Sequence, residues 1–431
     1  MRIIKNFNEI ATTPNRKIAL EIMEAGLASI NTENVVLGSV KLENNILTVS
    51  GQDFDLVNFQ KIKVVGFGKS SGEAAMALEK ILGDKITEGA VIDLEKVDCK
   101  YIETFAGTHP VSSAENFIAG KKIYEIISGS TTEDLIIALV SGGGSALLCY
   151  PENECEQGAK VYDAFLASGK TINEINTVRK HLSLLKGGGL AKVAYPATVI
   201  GLIFSDIPGD NFFEVASGPT YKDETTMADA QKIINENNLG QFDLVETPKE
   251  DKYFEKVHNF VLVSNKTAVE AMAKETEKSG LSVKIISTNL YDEVDAALKK
   301  IFNTTEETPP YMVRLAAGEP SVVVPKNAGK GGRNLHLGLE AIKNKMITKE
   351  NFSDMVFISF ASDGMDNSDV AGAVVDKNTI EKAKKLNLDA NDYANRFDSY
   401  NFFQKTGDLI ITGPTGANVS DLMILLTKNE K

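Results

Sequence analysis
The chain has 431 residues, a net charge of −13, and is 43% apolar and 24% charged. That length suggests two or three domains, and that composition excludes wholesale disorder. The acidity argues against a nucleic-acid binder, which needs a basic footprint to displace counterions from phosphates.

No stretch approaches the about 18 uncharged apolar residues of a membrane helix. The longest candidate, Val193 to Phe204, is short and contains Pro196. Met1 to Lys17 lacks the apolar core of a signal peptide, so the expected location is cytoplasmic, with neither membrane nor nucleic acid as partner. Cys99, Cys149 and Cys155 form an odd, sparse set without a C-x-x-C pair, which argues against a disulfide scaffold. The four histidines, His109, His181, His258 and His336, are too scattered for a structural zinc site.

In chain order, apolar runs predict strands at Ile62 to Val65, Leu135 to Val140, Val199 to Phe204, Phe260 to Val263, Tyr311 to Leu315 and Met355 to Phe360. Helical spacing of apolar residues predicts helices over Ser71 to Leu82, Ala114 to Ile127 and Thr267 to Lys278. This alternation predicts α/β architecture, with a parallel sheet covered by helices. Lys222 to Asn259 is polar and charged, as at a junction, so the expected domains are residues 1–240 and 255–431. Each strand runs into a Gly-, Ser-, Asp- or Lys-bearing corner, and ligands of open α/β sheets bind at such carboxyl ends.

Gly66-Phe67-Gly68-Lys69 follows a strand and opens a helix, which suits a phosphate or carboxylate, and Lys69 adds a positive charge. It is not a Walker A loop, because Lys63 stands where that motif needs Gly. Ser141-Gly142-Gly143-Gly144-Ser145 reads as an anion-binding nest, and it lacks the G-x-S-x-G pattern of a hydrolase elbow. Arg179 and Lys186, seven apart, would share one face of a helix and could clamp an anion; a solvated charged helix is the plain alternative. Asp206, in Ser205-Asp206-Ile207-Pro208-Gly209-Asp210, could accept a hydroxyl proton, hold Mg²⁺ or cap a helix. Arg333, in Gly329-Lys330-Gly331-Gly332-Arg333-Asn334, can reach a phosphate bidentately, and Glu319, Asp363 and Asp366 are candidate Mg²⁺ ligands or water-mediated supports. Gly loops, point charges and strand-end carboxylates are what phosphoryl transfer asks for, since it needs positioning and charge neutralisation.

Together these motifs resemble glycerate 2-kinase of the type once labelled hydroxypyruvate reductase, with its C-terminal MOFRL domain. The matching stretches include Gly66-Phe67-Gly68-Lys69, Gly107-Thr108-His109-Pro110, Ser141 to Leu148, Lys186-Gly187-Gly188, Ser205 to Asp210, Ser217-Gly218-Pro219-Thr220, Gly329 to Asn334, Ser362 to Asp366 and Gly413-Pro414-Thr415-Gly416, in the family's order over almost the whole chain. The resemblance implies ATP- and Mg²⁺-dependent phosphorylation of D-glycerate, or a closely related hydroxy or sugar acid, to the 2-phosphate. It also implies two α/β domains, the first Rossmann-like and mainly parallel, the second of MOFRL type, with the active site in a cleft between them. Lys69 and Arg333 carry over as catalytic, with Asp206 near the substrate hydroxyl. The reading of the motifs themselves adds Gly66, Gly68, Ser141 to Ser145, Arg179, Lys186 and Asn334 as expected substrate- or phosphate-binding residues. A homodimer is left open.

The chain departs from the pattern at Gly189, where Arg is usual, at Leu335-His336, where Gln-Glu is usual, and at Asn367, where Gly is usual. A lost Arg removes a fork for a carboxylate. The rival readings are an NAD(P)H-dependent hydroxypyruvate reductase and a non-catalytic sensor of a phosphorylated metabolite.

Overall fold
Continuous apolar runs become strands covered on both faces, and two such sheets organise the chain. The computed structural model describes residues 2–168, 172–207, 211–303, 311–348 and 352–429. They divide into two units: Thr32–Val263, and Met1–Asn31 together with Ser264–Lys431.

In the Thr32–Val263 unit, β1 (Val40–Glu43), β2 (Ile46–Val49) and β3 (Gln52–Asp55) form a small antiparallel sheet. The main sheet contains β4 (Lys61–Phe67), β5 (Ile86–Asp93), β6 (Glu103–Ala106), β7 (Asp134–Ser141), β8 (Thr198–Phe204) and β9 (Val257–Val263). All neighbours are parallel, in the order β6-β5-β4-β7-β8-β9. Counted from β4, that is the doubly wound Rossmann order, and it reverses between β4 and β7. Val65, Phe67, Ala138 and Val140 on these two central strands are buried in one apolar core with Ile123 and Leu190 from flanking helices.

The other unit holds β10 (Ser282–Leu290), β11 (Tyr311–Gly318), β12 (Phe352–Ala361), β13 (Gly372–Asp376), β14 (Leu409–Ile410) and β15 (Asp421–Asn429), in the order β10-β11-β15-β12-β13-β14. Only β10 and β11 pair in parallel; the remaining neighbours are antiparallel. The parallel sheet expected from alternation therefore does not extend to this unit. An apolar run reports burial on both faces, not direction. Phe357 and Leu425 pair across antiparallel strands and are as buried as the parallel Val65.

The first 31 residues belong with the C-terminal half, unlike the expected division at residues 1–240 and 255–431. Arg16, on the helix Pro14–Ser29, is fully buried. Its guanidinium donates Nε to Asp376 Oδ2 at 2.7 Å, Nη2 to Asp376 Oδ1 at 2.6 Å and Nη1 to Asp408 Oδ1 at 2.8 Å. Such a three-way ion pair forms only when residues some 360 positions apart fold together. The polar stretch Lys222 to Asn259 stays with the first unit and ends in its edge strand β9.

Removing one partner of a buried ion pair strands the others, at a cost of about 3–5 kcal/mol. Arg16→Ala is expected to lower stability by that amount in a urea titration followed by circular dichroism. A midpoint shift no larger than that of Lys17→Ala, whose side chain is 59% exposed, would contradict it.

Candidate active site
At the reversal point the loops after β4 and β7 are tied to each other through the backbone. Lys69 N–H donates to the Gly142 carbonyl at 2.8 Å, and Ser141 Oγ donates to the Lys69 carbonyl. Gly68 has φ +112° and lies so close to the Ser141 carbonyl that a Cβ would overlap it. A Cβ at Gly66 would stand 3.0 Å from Leu139 and Val91. These two glycines, expected to face a phosphate, instead permit close approach of protein to protein.

The helix N-terminus expected to receive that phosphate is also occupied. Gly72 N–H, in the first turn of the helix Ser71–Leu82, donates to Asp93 Oδ2 at 3.0 Å, and Leu94 N–H donates to Asp93 Oδ1 at 2.6 Å. Burial raises the Asp93 pKa, and the N–H donors from Gly72, Leu94 and Ser70 oppose that rise. The free donors that make a helix start an anion site are thus committed to the chain's own carboxylate.

The triple-glycine loop is different. Gly143 has φ +76°, and Lys69 Cγ and the His109 ring stand directly over it, at 3.3 Å and 3.2 Å from where a Cβ would lie. The neighbouring Gly142 lies against the Asp206 carboxylate, leaving no room for a side chain. Gly144 is buried, packed on Ala216 and Phe67. Ser145 Oγ shares a 2.8 Å hydrogen bond with Ser217 Oγ. Residues Pro208 to Asp210 of the Asp206 corner lie outside the described residues.

His109, in Gly107-Thr108-His109-Pro110, has no role that the sequence alone assigns. Asn116 fixes its loop: Oδ1 accepts from Thr108 N–H at 2.9 Å and Ser113 N–H at 3.1 Å. Asn116 Nδ2 donates to the Thr108 and Ala146 carbonyls, both at 3.0 Å. One buried amide thus ties the His109 loop to the helix Gly144–Leu147 that follows the glycines. The residue keeps an exposed edge, yet partial burial, then the Lys69 and Arg179 cations, lower its pKa to about 4. The imidazole is therefore neutral at physiological pH, beside two cations.

Arg179 and Lys186 do not share a helical face as expected. The helix carrying Arg179 ends at Lys180, and Lys186 lies in the turn that precedes Gly187 and Gly188, both in the left-handed region. The turn still brings both to one small gap of about 20 Å³, also lined by Glu154 and Ser145. That volume is about what one water requires. Lys186 is buried and ion-paired with Glu154, so its charge is already matched; burial lowers its pKa and Glu154 opposes this. Arg179, whose pKa burial also lowers, sits 5.8 Å from the Tyr162 ring centroid. Cys149, at the same gap, is disulfide-bonded to Cys155 with their Cα atoms 5.6 Å apart, a local cross-link that the sparse cysteine count did not suggest.

In the unit containing residues 264–431, Arg333 opens the helix Arg333–Lys343 beside a cavity of about 220 Å³. Its Nε lies 2.7 Å from Asp421 Oδ2 and its Nη1 3.3 Å from Glu319 Oε2. Asn334, expected to bind a ligand, is buried and fully engaged. It donates Nδ2 to Asp421 Oδ1 at 2.7 Å and to Asp366 Oδ1 at 3.1 Å, and it accepts from Ser359 Oγ at 2.5 Å. It positions two carboxylates around Arg333.

The three expected Mg²⁺ ligands are likewise in use. Asp366 caps the helix, accepting from Asn334 N–H at 2.9 Å and Leu335 N–H at 2.8 Å. Asp363 Oδ1 accepts from Met365 N–H at 2.9 Å, and Glu319 pairs with Arg333. Among the described residues no three His, Cys, Asp or Glu side chains are grouped to hold a metal ion. Asp363, Asp366 and Glu319 therefore do not compose a preformed metal site. Gly331 and Gly332 abut Ser399 and the Asp366 backbone, again serving packing.

Asp421 was missed by sequence reasoning; its only signal is a carboxylate opening the apolar run Leu422 to Leu426. Burial pushes its pKa up to about 7, against the opposing pull of Arg333 and Asn334. The folded chain thus holds an extra proton there between the unfolded value of about 3.9 and about 7. The corresponding stability is fully present below about pH 4 and is lost as pH rises through about 7. Asp421→Asn is expected to flatten that part of the pH–stability profile in denaturant titrations. An unchanged slope would contradict the assignment.

A doubly wound sheet whose reversal point gathers Lys69, His109 and Arg179 beside a triple-glycine loop defines an α/β enzyme suited to anionic substrates. Residues 18–247 match a family described as a domain of unknown function (DUF4147), and residues 312–421 match the MOFRL family. Glycerate 2-kinase of Pyrococcus horikoshii is 32% identical, over 96% of this chain and 98% of that protein. D-glycerate 2-kinase of Thermotoga maritima is 32% identical, over 95% and 97% respectively. The crystal structure of a Thermotoga maritima glycerate kinase superposes with a TM-score of 0.83 at 30% identity, covering 95% of this chain and 99% of that one. The chain belongs to the glycerate 2-kinase family. No helix among the described residues is long and apolar enough to cross a membrane.

Proposed function
We propose that the protein transfers the γ-phosphoryl group of ATP to the 2-hydroxyl of D-glycerate. The observation that carries this reading is that Lys69 and His109 stand over Gly143 with Arg179 near enough to His109 to help lower its pKa, so that two cations set a local positive field on a chain whose net charge is −13. Such a field is needed where an anionic acid and a phosphoryl group meet, because a net negative protein repels both at long range.

Arg179 and the Ser145 hydroxyl receive the acid's carboxylate. Lys69 neutralises the transferring phosphoryl. The neutral His109 adds a hydrogen bond without adding charge. Asp206, lying against Gly142, orients or deprotonates the attacking hydroxyl. Arg333 serves the nucleotide's phosphates, which compete for it with Glu319 and Asp421. Asp363 or Glu319, which line the cavity beside Arg333, would hold Mg²⁺ jointly with the nucleotide's phosphates, and the ion would supply further neutralisation of phosphoryl charge.

Two of the departures from the family pattern, Gly189 and Leu335, do not bear on the acid's preference. Gly189 lies against the Leu184 carbonyl with no room for a Cβ, and Leu335 is fully buried in the apolar core. Neither presents a side chain to a ligand. A nicotinamide-dependent reductase is disfavoured, because it needs a free helix N-terminus for the pyrophosphate and a free acid for the ribose. Asp93 is the acid at that strand end, and it binds the helix start itself.

Lys69→Ala is expected to lower kcat by about 10²- to 10³-fold, with an unchanged circular dichroism spectrum. ADP release with ATP, Mg²⁺ and D-glycerate measures the loss, and NADH with hydroxypyruvate serves as the control reaction. Near-wild-type turnover in the variant, or nicotinamide oxidation in place of ADP release, would overturn the reading.

A further inference from the structure
The helix Arg333–Lys343 places Arg333, His336, Glu340 and Lys343 on one face. His336 lies one turn beyond Arg333, about 4.5 Å along the axis. There it lines a second cavity, of about 250 Å³, separate in its lining from the one beside Arg333. Two features distinguish this cavity.

The first is a flat wall. The His336 ring stacks on Phe397 with centroids 4.5 Å apart and planes 9° from parallel. His336 is buried, and its Nδ1 has no hydrogen-bond partner. Opposite in character is the lip, where Val323 is 86% exposed on the segment that also carries Val322. An apolar side chain left this open beside an aromatic wall gains by being covered.

The second feature is the polar complement. Glu293, Asp295 and Glu340 line the cavity, with Lys343 paired to Glu340 at 2.9 Å. Excess carboxylate rejects phosphate and favours a ligand edge bearing N–H donors. A planar, uncharged, amino-bearing ring is the ligand that satisfies wall, lip and rim together.

We infer that this cavity is the nucleobase subsite, taking the amino-bearing purine of the nucleoside triphosphate while Arg333 takes its phosphates. The inference rests on the proposed kinase reading and names where the donor's base is held. His336→Ala removes the stacking wall, His336→Phe restores it, and Val323→Asp charges the lip.

KM for ATP is expected to rise at least about fivefold in His336→Ala and Val323→Asp, the scale of one lost base–aromatic stack. His336→Phe should stay within about twofold of wild type. KM for D-glycerate and inhibition by inorganic tripolyphosphate, which has no base, should not move in any variant. An unchanged KM for ATP in both disruptive variants would overturn the subsite. So would a parallel loss of tripolyphosphate inhibition, which marks general damage to the phosphate site. Failure of the unmodified enzyme to consume ATP with D-glycerate would instead overturn the kinase reading.

Discussion
Where the strand order reverses between β4 and β7, two loops are fastened by the Lys69 N–H to Gly142 carbonyl bond and by Ser141 Oγ on the Lys69 carbonyl. Only glycine fits at position 68, where the backbone meets the Ser141 carbonyl, and a left-handed Gly143 turns the next loop beneath the Lys69 side chain. The fastening aims Lys69 over Gly143 while Asn116 holds His109 on the same spot. Asp93 accepts the Gly72 N–H at the neighbouring helix start, so in the proposed reading the charge at this corner comes from side-chain cations. Cations on pre-set backbone supply charge without reorganisation at the moment of reaction, the condition under which electrostatic stabilisation is largest.

The second unit follows a different logic. Arg333 is held by Asp421 and Glu319, and behind them Asn334, Asp366 and Ser359 form a buried network whose members position one another. Such networks are rigid when satisfied and costly when broken. The acidic residues around Arg333 therefore act first as its scaffold. In the proposed reading, a phosphate entering there meets a guanidinium already in place and carboxylates that must be outcompeted.

Much of the fold was legible because burial and turn chemistry are local. The runs at 62–65, 135–140 and 199–204 are strands, and the helices over Ser71–Leu82 and Ala114–Ile127 have the expected bounds. Strand direction in the second sheet was not legible, because Met355 to Phe360 reads alike in either orientation. The partnership of Arg16 with Asp376 and Asp408 was invisible for the same reason, being purely long-range. The position of Lys69 and the triple glycine at strand ends was legible, because each follows an apolar run. The approach of His109 to Gly143 was not, because it depends on Asn116, which is distant from the glycines in sequence. Asp366 and Asn334 carry the polarity expected of ligands, but capping and ligation use the same residue types, and only geometry separates them.

In the proposed reading the acid is received at the corner formed by Lys69, Arg179 and Ser145. A crystal structure of the full chain with D-glycerate tests it most directly. The carboxylate is expected within hydrogen-bonding distance of Arg179 and Ser145, with the 2-hydroxyl turned toward Lys69 and Asp206. Glycerate bound elsewhere, with this corner filled only by solvent, would contradict it.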